Sequence, residues 1–210
     1  MKNSVLRMSL VIAVVALSVA VSSSPASAQF YLGGKGSAFL PNNSSDGLKD
    51  FDTGIGGEFF AGYRFIPYFG LEGGAGYFQS KWNASNFEGT GIDGKLTVSA
   101  LPLTLTAKGF LPLGEKARLY AGAGIGAYFG KLKAEASYTI EGRSNSASRD
   151  ASNSAFGYHA VLGGEFMVST MVGLQAEAKW FKVEPEFSDL DTGKVDIGGV
   201  LFSFGVLFQL

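Results

Sequence analysis

Apolar and polar positions alternate with a period of two along most of residues 29–210, the mark of strands whose two faces meet different surroundings. The clearest stretch is Leu101–Gly130. Leu101, Leu103, Leu105 and Ala107 take one face, and Thr104, Thr106 and Lys108 the other. Pro112-Leu113-Gly114 breaks the run, after which Leu119, Ala121, Ala123, Ile125, Ala127 and Phe129 oppose Arg118, Tyr120, Gly122, Gly124, Gly126 and Tyr128. One face is apolar without interruption, while the other mixes glycine, hydroxyl and charge. Two architectures use such a pattern: a soluble sandwich with the mixed face in water, or a narrow closed barrel with the apolar face in lipid and the mixed face enclosed.

The same alternation predicts eight strands. The first, about Phe30–Leu40, sets Leu32, Gly34, Gly36, Ala38 and Leu40 outward against Tyr31, Gly33, Lys35 and Ser37. A polar loop, Pro41–Asp52, leads to a second strand with Phe59, Ala61, Tyr63 and Phe65 opposing Glu58, Phe60, Gly62 and Arg64, and Ile66-Pro67-Tyr68 forms a tight turn. The third strand, about Phe69–Lys81, places Leu71, Gly73, Ala75 and Tyr77 outward and Glu72, Gly74, Gly76 and Phe78 inward. A loop over Trp82–Gly94 precedes the fourth strand, about Lys95–Phe110, in which Pro102 predicts a bulge because it cannot donate to the ladder. The fifth strand is Ala117 to about Lys133. Ala134–Ser154, with EGRSNSASRDASNS at its centre, is too polar for a core and is expected to be an irregular external loop. The sixth strand (about Ala155–Val168) and the seventh (Val172–Val183) meet at Ser169-Thr170, and put His159, Glu165, Gln175, Glu177 and Lys179 inward. An acidic loop, Glu184–Lys194, precedes the last strand, Gly198–Leu210, with Val200, Phe202, Phe204, Val206 and Phe208 on one face and Leu201, Ser203, Gly205, Leu207 and Gln209 on the other.

Composition and address choose between the two architectures. Lys2 and Arg7 precede an apolar run from Met8 to about Val21, and Ala26-Ser27-Ala28 is a small-residue cleavage site, so residues 1–28 are expected to be a signal peptide cleaved near Ala28. Residues 29–210 then form one barrel domain, with 15 basic against 18 acidic residues once Lys2 and Arg7 are gone. The chain has no cysteine, which excludes a disulfide scaffold, and its near-neutral charge offers no surface for nucleic acid. Glycine, lysine or glutamate interrupts every later apolar run, so no spanning helix is expected. Segments of about ten residues, separated alternately by tight turns and longer polar loops, are the pattern of an outer-membrane barrel. The expected fold is therefore all-β, an eight-stranded antiparallel up-and-down transmembrane β-barrel in the outer membrane of a Gram-negative bacterium, with both ends of the processed chain on the periplasmic side.

Aromatic positions near the strand ends suit interfacial girdles: Phe65, Tyr68, Phe69, Phe110 and Phe166 at the turn end, and Tyr77, Phe129, Tyr158 and Trp180 at the loop end. Strand parity places Lys35, Arg64, Lys108, Arg118 and Lys179 inside, against Glu58, Glu72, Glu165 and Glu177. Eight strands leave room only for side chains, so such charges have to be paired to be tolerated.

GYRFIPYFGLEGGAGYF (62–78), LTLTAKGFLP (103–112), and LQAEAKW (174–180) with LFSFGVLFQL (201–210) resemble the eight-stranded outer-membrane protein A family and its small relatives. The resemblance covers nearly all of residues 29–210 and implies a lumen in which charges pair across the barrel. Lys108, Glu177 and Glu72 match three positions of that network. The fourth, usually an arginine, is Gln209, which leaves Lys35 to act as partner of Glu72. The aromatic-rich last strand fits a signal for the barrel-assembly machinery, with Leu210 where an aromatic is usual, and no peptidoglycan-binding domain like that of longer members is expected after the barrel.

A structural or surface-interacting role follows, in a monomer whose partners are outer-membrane lipid, lipopolysaccharide and an extracellular ligand at the loops, with no cofactor. One alternative is a narrow channel for small solutes. Another is a lipid A-modifying enzyme, but His159 is the single histidine, is followed by Ala160 and Val161 where a deacylase of this shape resembles His-x-Ser, and has inward parity. Glu184, Glu186, Asp189 and Asp191 lack the regular spacing of a calcium loop, so no metal is expected there. Gly33-Gly34-Lys35-Gly36 belongs to the first strand's alternation and precedes no helix, unlike a phosphate loop.

Overall fold

The computed structural model describes residues 29–42, 52–84, 92–140, 143–183 and 197–210. They form β1 (Gln29–Pro41), β2 (Gly54–Ile66), β3 (Phe69–Ala84), β4 (Ile92–Pro112), β5 (Ala117–Ile140), β6 (Arg143–Met167), β7 (Val172–Val183) and β8 (Gly199–Gln209). Each strand pairs antiparallel with the next, and β8 returns to β1 from Tyr31↔Gln209 to Pro41↔Gly199, so the sheet closes on itself. Closure leaves no unpaired edge around the girth, which is what lets a sheet stand in hydrocarbon with its backbone groups satisfied. This is the eight-stranded up-and-down barrel the alternation predicts.

The two faces separate as their residues require. Leu32, Leu71, Leu103, Leu105, Ile125, Leu162, Phe202 and Phe204 are exposed on the outer wall, while Lys35, Glu58, Arg64, Glu72, Lys108, Glu165, Glu177 and Lys179 are buried inside. So continuous an apolar wall far exceeds the patch of a few hundred Å² that soluble monomers expose. Glycines on the inner face make room for large neighbours. A Cβ on Gly62 would collide with the Tyr31 ring, and one on Gly163 with the Tyr120 ring and hydroxyl.

Three expectations are corrected. Ala134–Ser154 is not an irregular loop: its backbone continues β5 and β6 as one ladder up to Ile140↔Arg143. Polarity had argued against a core, but a ladder needs only its backbone hydrogen bonds, and serine, asparagine and charge suit a hairpin standing beyond the apolar band. Pro102 makes no bulge. The β3–β4 ladder passes from Ala75↔Leu103 to Phe78↔Ala100 in one register, and Pro102 keeps its place opposite Tyr128 on β5. The register shift lies instead between Arg64 and Ile66, where β2 turns into β3. Phe110 is not a girdle residue: it shares the parity of Lys108 and is buried in the lumen against Tyr120. The other eight girdle aromatics are exposed on the outer wall.

At the turn end, the Leu113 N–H donates to Ala117 O at 2.8 Å, and Gly114 takes a φ of 99°, a left-handed conformation that glycine adopts without strain. At the loop end the rim is uneven. β5 and β6 have 24 and 25 residues against 11 for β8 and 12 for β7, so among the described residues their hairpin continues well past the last pair of β6 with β7, Gly157↔Val183. The expected signal peptide lies outside the described residues, as do most of the Pro41–Asp52 loop, residues 85–91 and the acidic loop with Glu184, Glu186, Asp189 and Asp191.

Candidate functional site: the charged lumen

Alternate residues of all eight strands meet inside the barrel in three tiers. At the turn end, Arg64 Nη2 lies 2.5 Å from Glu165 Oε2, and Arg118 Nη1 approaches the same oxygen at 3.5 Å. Arg64 Nη1 donates to Gln29 and Gln209 at 3.2 Å each, and Arg118 Nη1 donates to Gln209 at 3.4 Å. The Arg64 guanidinium is also held between the rings of Tyr31 and Phe110, 4.7 and 4.8 Å from their centroids. Two cations share one carboxylate here, and Gln209 Oε1 supplies neutral acceptance to both.

The middle tier is a single chain of alternating charge. Lys179 binds Glu58 at 2.6 Å, Glu58 meets Lys35 at 3.0 Å, and Lys35 reaches Glu177 at 2.6 Å. Glu177 meets Lys108 at 3.2 Å, and Lys108 ends on Glu72 at 2.6 Å. Hydroxyls and an amide complete the carboxylates: Tyr31 OH donates to Glu72 at 3.1 Å, Tyr120 OH to Glu177 at 3.0 Å, and Gln175 Nε2 to Tyr120 OH at 2.7 Å. Lys108 is fully enclosed, with its ammonium 4.3 Å above the Tyr120 ring. Beside the chain, His159 is buried with Nε2 2.8 Å from Thr106 Oγ1.

Lys35, Glu58, Arg64, Glu72, Lys108, Glu165, Glu177 and Lys179 are buried, and Arg118 and Gln209 lie half-buried beside them, but one expected pairing is replaced. Lys35 does not hold Glu72. In the ladder Lys35 is directly opposite Glu58, and Glu58 is level with Gly76, four residues along β3 from Glu72. Glu72 pairs with Thr106 of β4, two residues from Lys108, so Lys108 is the cation within reach.

Among the described residues the loop-end tier has no charge. Phe39, Phe78, Phe181 and Tyr128 are buried in mutual contact, with Phe39–Phe78 centroids 4.7 Å apart, Phe78–Phe181 5.3 Å and Tyr128–Phe181 5.5 Å. Val98, Val183, Ile197 and Leu201 pack around them. Alternation places Phe78 and Tyr128 on the inner face of their strands, and the fold brings four rings from different strands together. The legible signal was parity: Phe39 falls in step with Lys35 and Phe181 with Lys179. Among the described residues no group of three or more acidic, histidine or cysteine side chains could hold a metal ion.

The sequence profile of the family described as outer membrane protein beta-barrel domain matches residues 9–208. The outer membrane protein OprG of Pseudomonas aeruginosa is similar in structure at a TM-score of 0.62 and 16% identity, over 88% of this chain and 96% of that one. Neisserial surface protein A gives 0.54 and 18%, over 85% and 96%. A major outer membrane protein of Thermus thermophilus gives 0.52 and 11%, over 88% and 100%. At such identities the likeness is one of fold. Among curated proteins no sequence matches the chain.

Proposed function

The chain belongs to the outer membrane protein beta-barrel domain family, and from that membership we propose a structural and surface-presenting role for it, neither catalytic nor conducting. The barrel is the anchor, and the loop-end rim with its long β5–β6 hairpin is the part offered to extracellular ligands. The observation that carries this reading is the filled lumen: among the described residues each inward charge has an opposite charge in contact, and the aromatic tier lies across the loop end. A solute would have to part four packed rings and then break an ion chain in a low-dielectric interior.

His159 supports the non-catalytic reading. It is enclosed by the wall, while Tyr158 and Ala160 hold the lipid side, so no lipid ester on the outer surface can reach its imidazole. Lipid A mass spectra from cells with and without the protein are expected to be identical, and a lost or gained acyl chain would end this reading. Outer-membrane lipid and lipopolysaccharide are the partners of the wall, the barrel-assembly machinery is the partner during insertion, and the folded unit is a monomer. Cleavage near Ala28 gives a processed chain starting at Gln29, which intact-mass measurement of the outer-membrane form tests. The channel alternative is tested by planar-bilayer recording of purified protein beside Lys108→Met. No unitary events are expected from either; steady conductance from the unmodified barrel would replace this reading with the channel.

A further inference from the structure

The turn end of the lumen holds one side chain whose reactivity the ion network does not use. Gln29 opens β1, half-buried and directly opposite Arg64 in the β1–β2 ladder. Its Oε1 accepts a hydrogen bond from Arg64 Nη1 at 3.2 Å, and among the described residues only this carbonyl end of its amide is held. The donor is a fixed one. Glu165 holds the Arg64 guanidinium at Nη2, 2.5 Å away, and the rings of Tyr31 and Phe110 enclose it from two sides. The backbone is fixed one residue further on, where the Phe30 carbonyl accepts the Leu210 N–H at 2.9 Å.

A chain that begins with glutamine carries its own nucleophile. The α-nitrogen and the side-chain Cδ belong to one residue, so rotation about side-chain bonds brings them together without the entropy loss of joining two molecules. In the closure the neutral α-amine attacks Cδ, a C–N bond forms and negative charge develops on Oε1. The tetrahedral carbon then expels Nε2, which takes the proton released by the α-nitrogen and leaves as ammonia; nothing is oxidised or reduced. The charge builds on the oxygen to which Arg64 Nη1 already donates. A donor fixed at a developing oxyanion lowers the barrier because it needs no reorganisation as the charge appears. The product keeps the carbonyl that Arg64 holds and loses only the amide nitrogen. It also brings no charge into a tier where Arg64 and Arg118 already share Glu165.

We propose that Gln29 is a modification site, closed to pyroglutamate at the start of the processed chain by a reaction that folding accelerates through the Arg64–Gln29 hydrogen bond. The inference rests on cleavage near Ala28 as read above, because a nitrogen still in a peptide bond to Ala28 is no nucleophile. The turn end of the mature barrel then presents a neutral lactam in place of an α-ammonium.

The first measurement is mass spectrometry of the N-terminal peptide of the barrel purified from outer membranes. The expected peptide starts at Gln29 and is lighter than its sequence by one ammonia. A Gln29 peptide with a free amine and an intact amide would overturn the proposal while leaving the cleavage reading in place. A peptide starting elsewhere sinks the cleavage reading, and the site falls with it. The second measurement isolates the part played by folding. The processed chain, residues 29–210, is released from a cleavable tag that exposes Gln29, and loss of ammonia is followed over time in barrels refolded into lipid vesicles and in urea at the same pH. Closure is expected to be about tenfold faster in the barrel, less than the roughly hundredfold of one preorganised oxyanion donor because Arg64 Nη1 is shared with Gln209. Arg64→Lys, shown to be folded by its heat-modifiability, is expected to bring the rate in the barrel down to the rate in urea. Equal or slower closure in the unmodified barrel than in urea would overturn the proposal, and that comparison stands without any variant if Arg64→Lys does not fold.

Discussion

At the scale of single residues, the lumen is governed by the cost of leaving a charge alone. Lys108 is fully enclosed and touches Glu72 at 2.6 Å and Glu177 at 3.2 Å. Glu177 keeps Lys35 if Lys108 is lost, but Glu72 keeps only the Tyr31 hydroxyl. Lys108→Met is therefore expected to destabilise the barrel by about 3–5 kcal/mol, and Lys108→Met with Glu72→Gln to recover part of that, read from urea unfolding in lipid vesicles. Gln209 gives the opposite sign of error. Arg64 and Arg118 already share Glu165, so Gln209→Arg sets a third cation around one carboxylate. That substitution is expected to lower stability here, in the same assay. Space is as limiting as charge: Gly163→Ala drives a methyl into Tyr120, which itself holds Glu177 and Gln175, and about 1–3 kcal/mol of overpacking loss is expected.

At the scale of elements, each strand does two tasks on its two faces, and the tiers arise because neighbouring strands are staggered. Phe181 of β7 is the hub of the loop-end tier, lying within 5.7 Å of the rings of Phe39, Phe78 and Tyr128. Phe181→Ala is expected to cost about 3–5 kcal/mol, measured by the same unfolding assay. The upper part of the β5–β6 hairpin behaves differently. Among the described residues β6 pairs with β5 alone above Gly157, while β4 stays paired with β5 up to Ile92↔Tyr138. Shortening it by removing residues 139–144, which pair with neither β4 nor β7, is expected to leave a heat-modifiable barrel of nearly unchanged stability. Loss of folding would mean that the hairpin serves assembly as well as display.

At the scale of the whole molecule, closure, the outward apolar wall and the filled lumen are one arrangement, since turning the alternation inside out would bury the leucines and expose the ions to lipid. The expected behaviour is retention in the outer-membrane fraction and faster gel migration before boiling than after; a protein found in periplasmic extract without detergent would contradict it. Alternation alone determined much of this. It set the number of strands and which residues share a face, because side-chain direction in a strand depends only on parity, while composition and address said which of the two faces is enclosed. Parity says nothing of height. Whether Glu72 meets Lys108 or Lys35, whether the Phe110 ring reaches Arg64, and whether Phe39, Phe78, Phe181 and Tyr128 meet at all depend on the stagger between strands, which is settled by eight ladders closing together and not by any one of them. The same holds for the long hairpin, whose polar sequence reads as loop until a partner strand supplies the backbone hydrogen bonds that side-chain chemistry does not reveal.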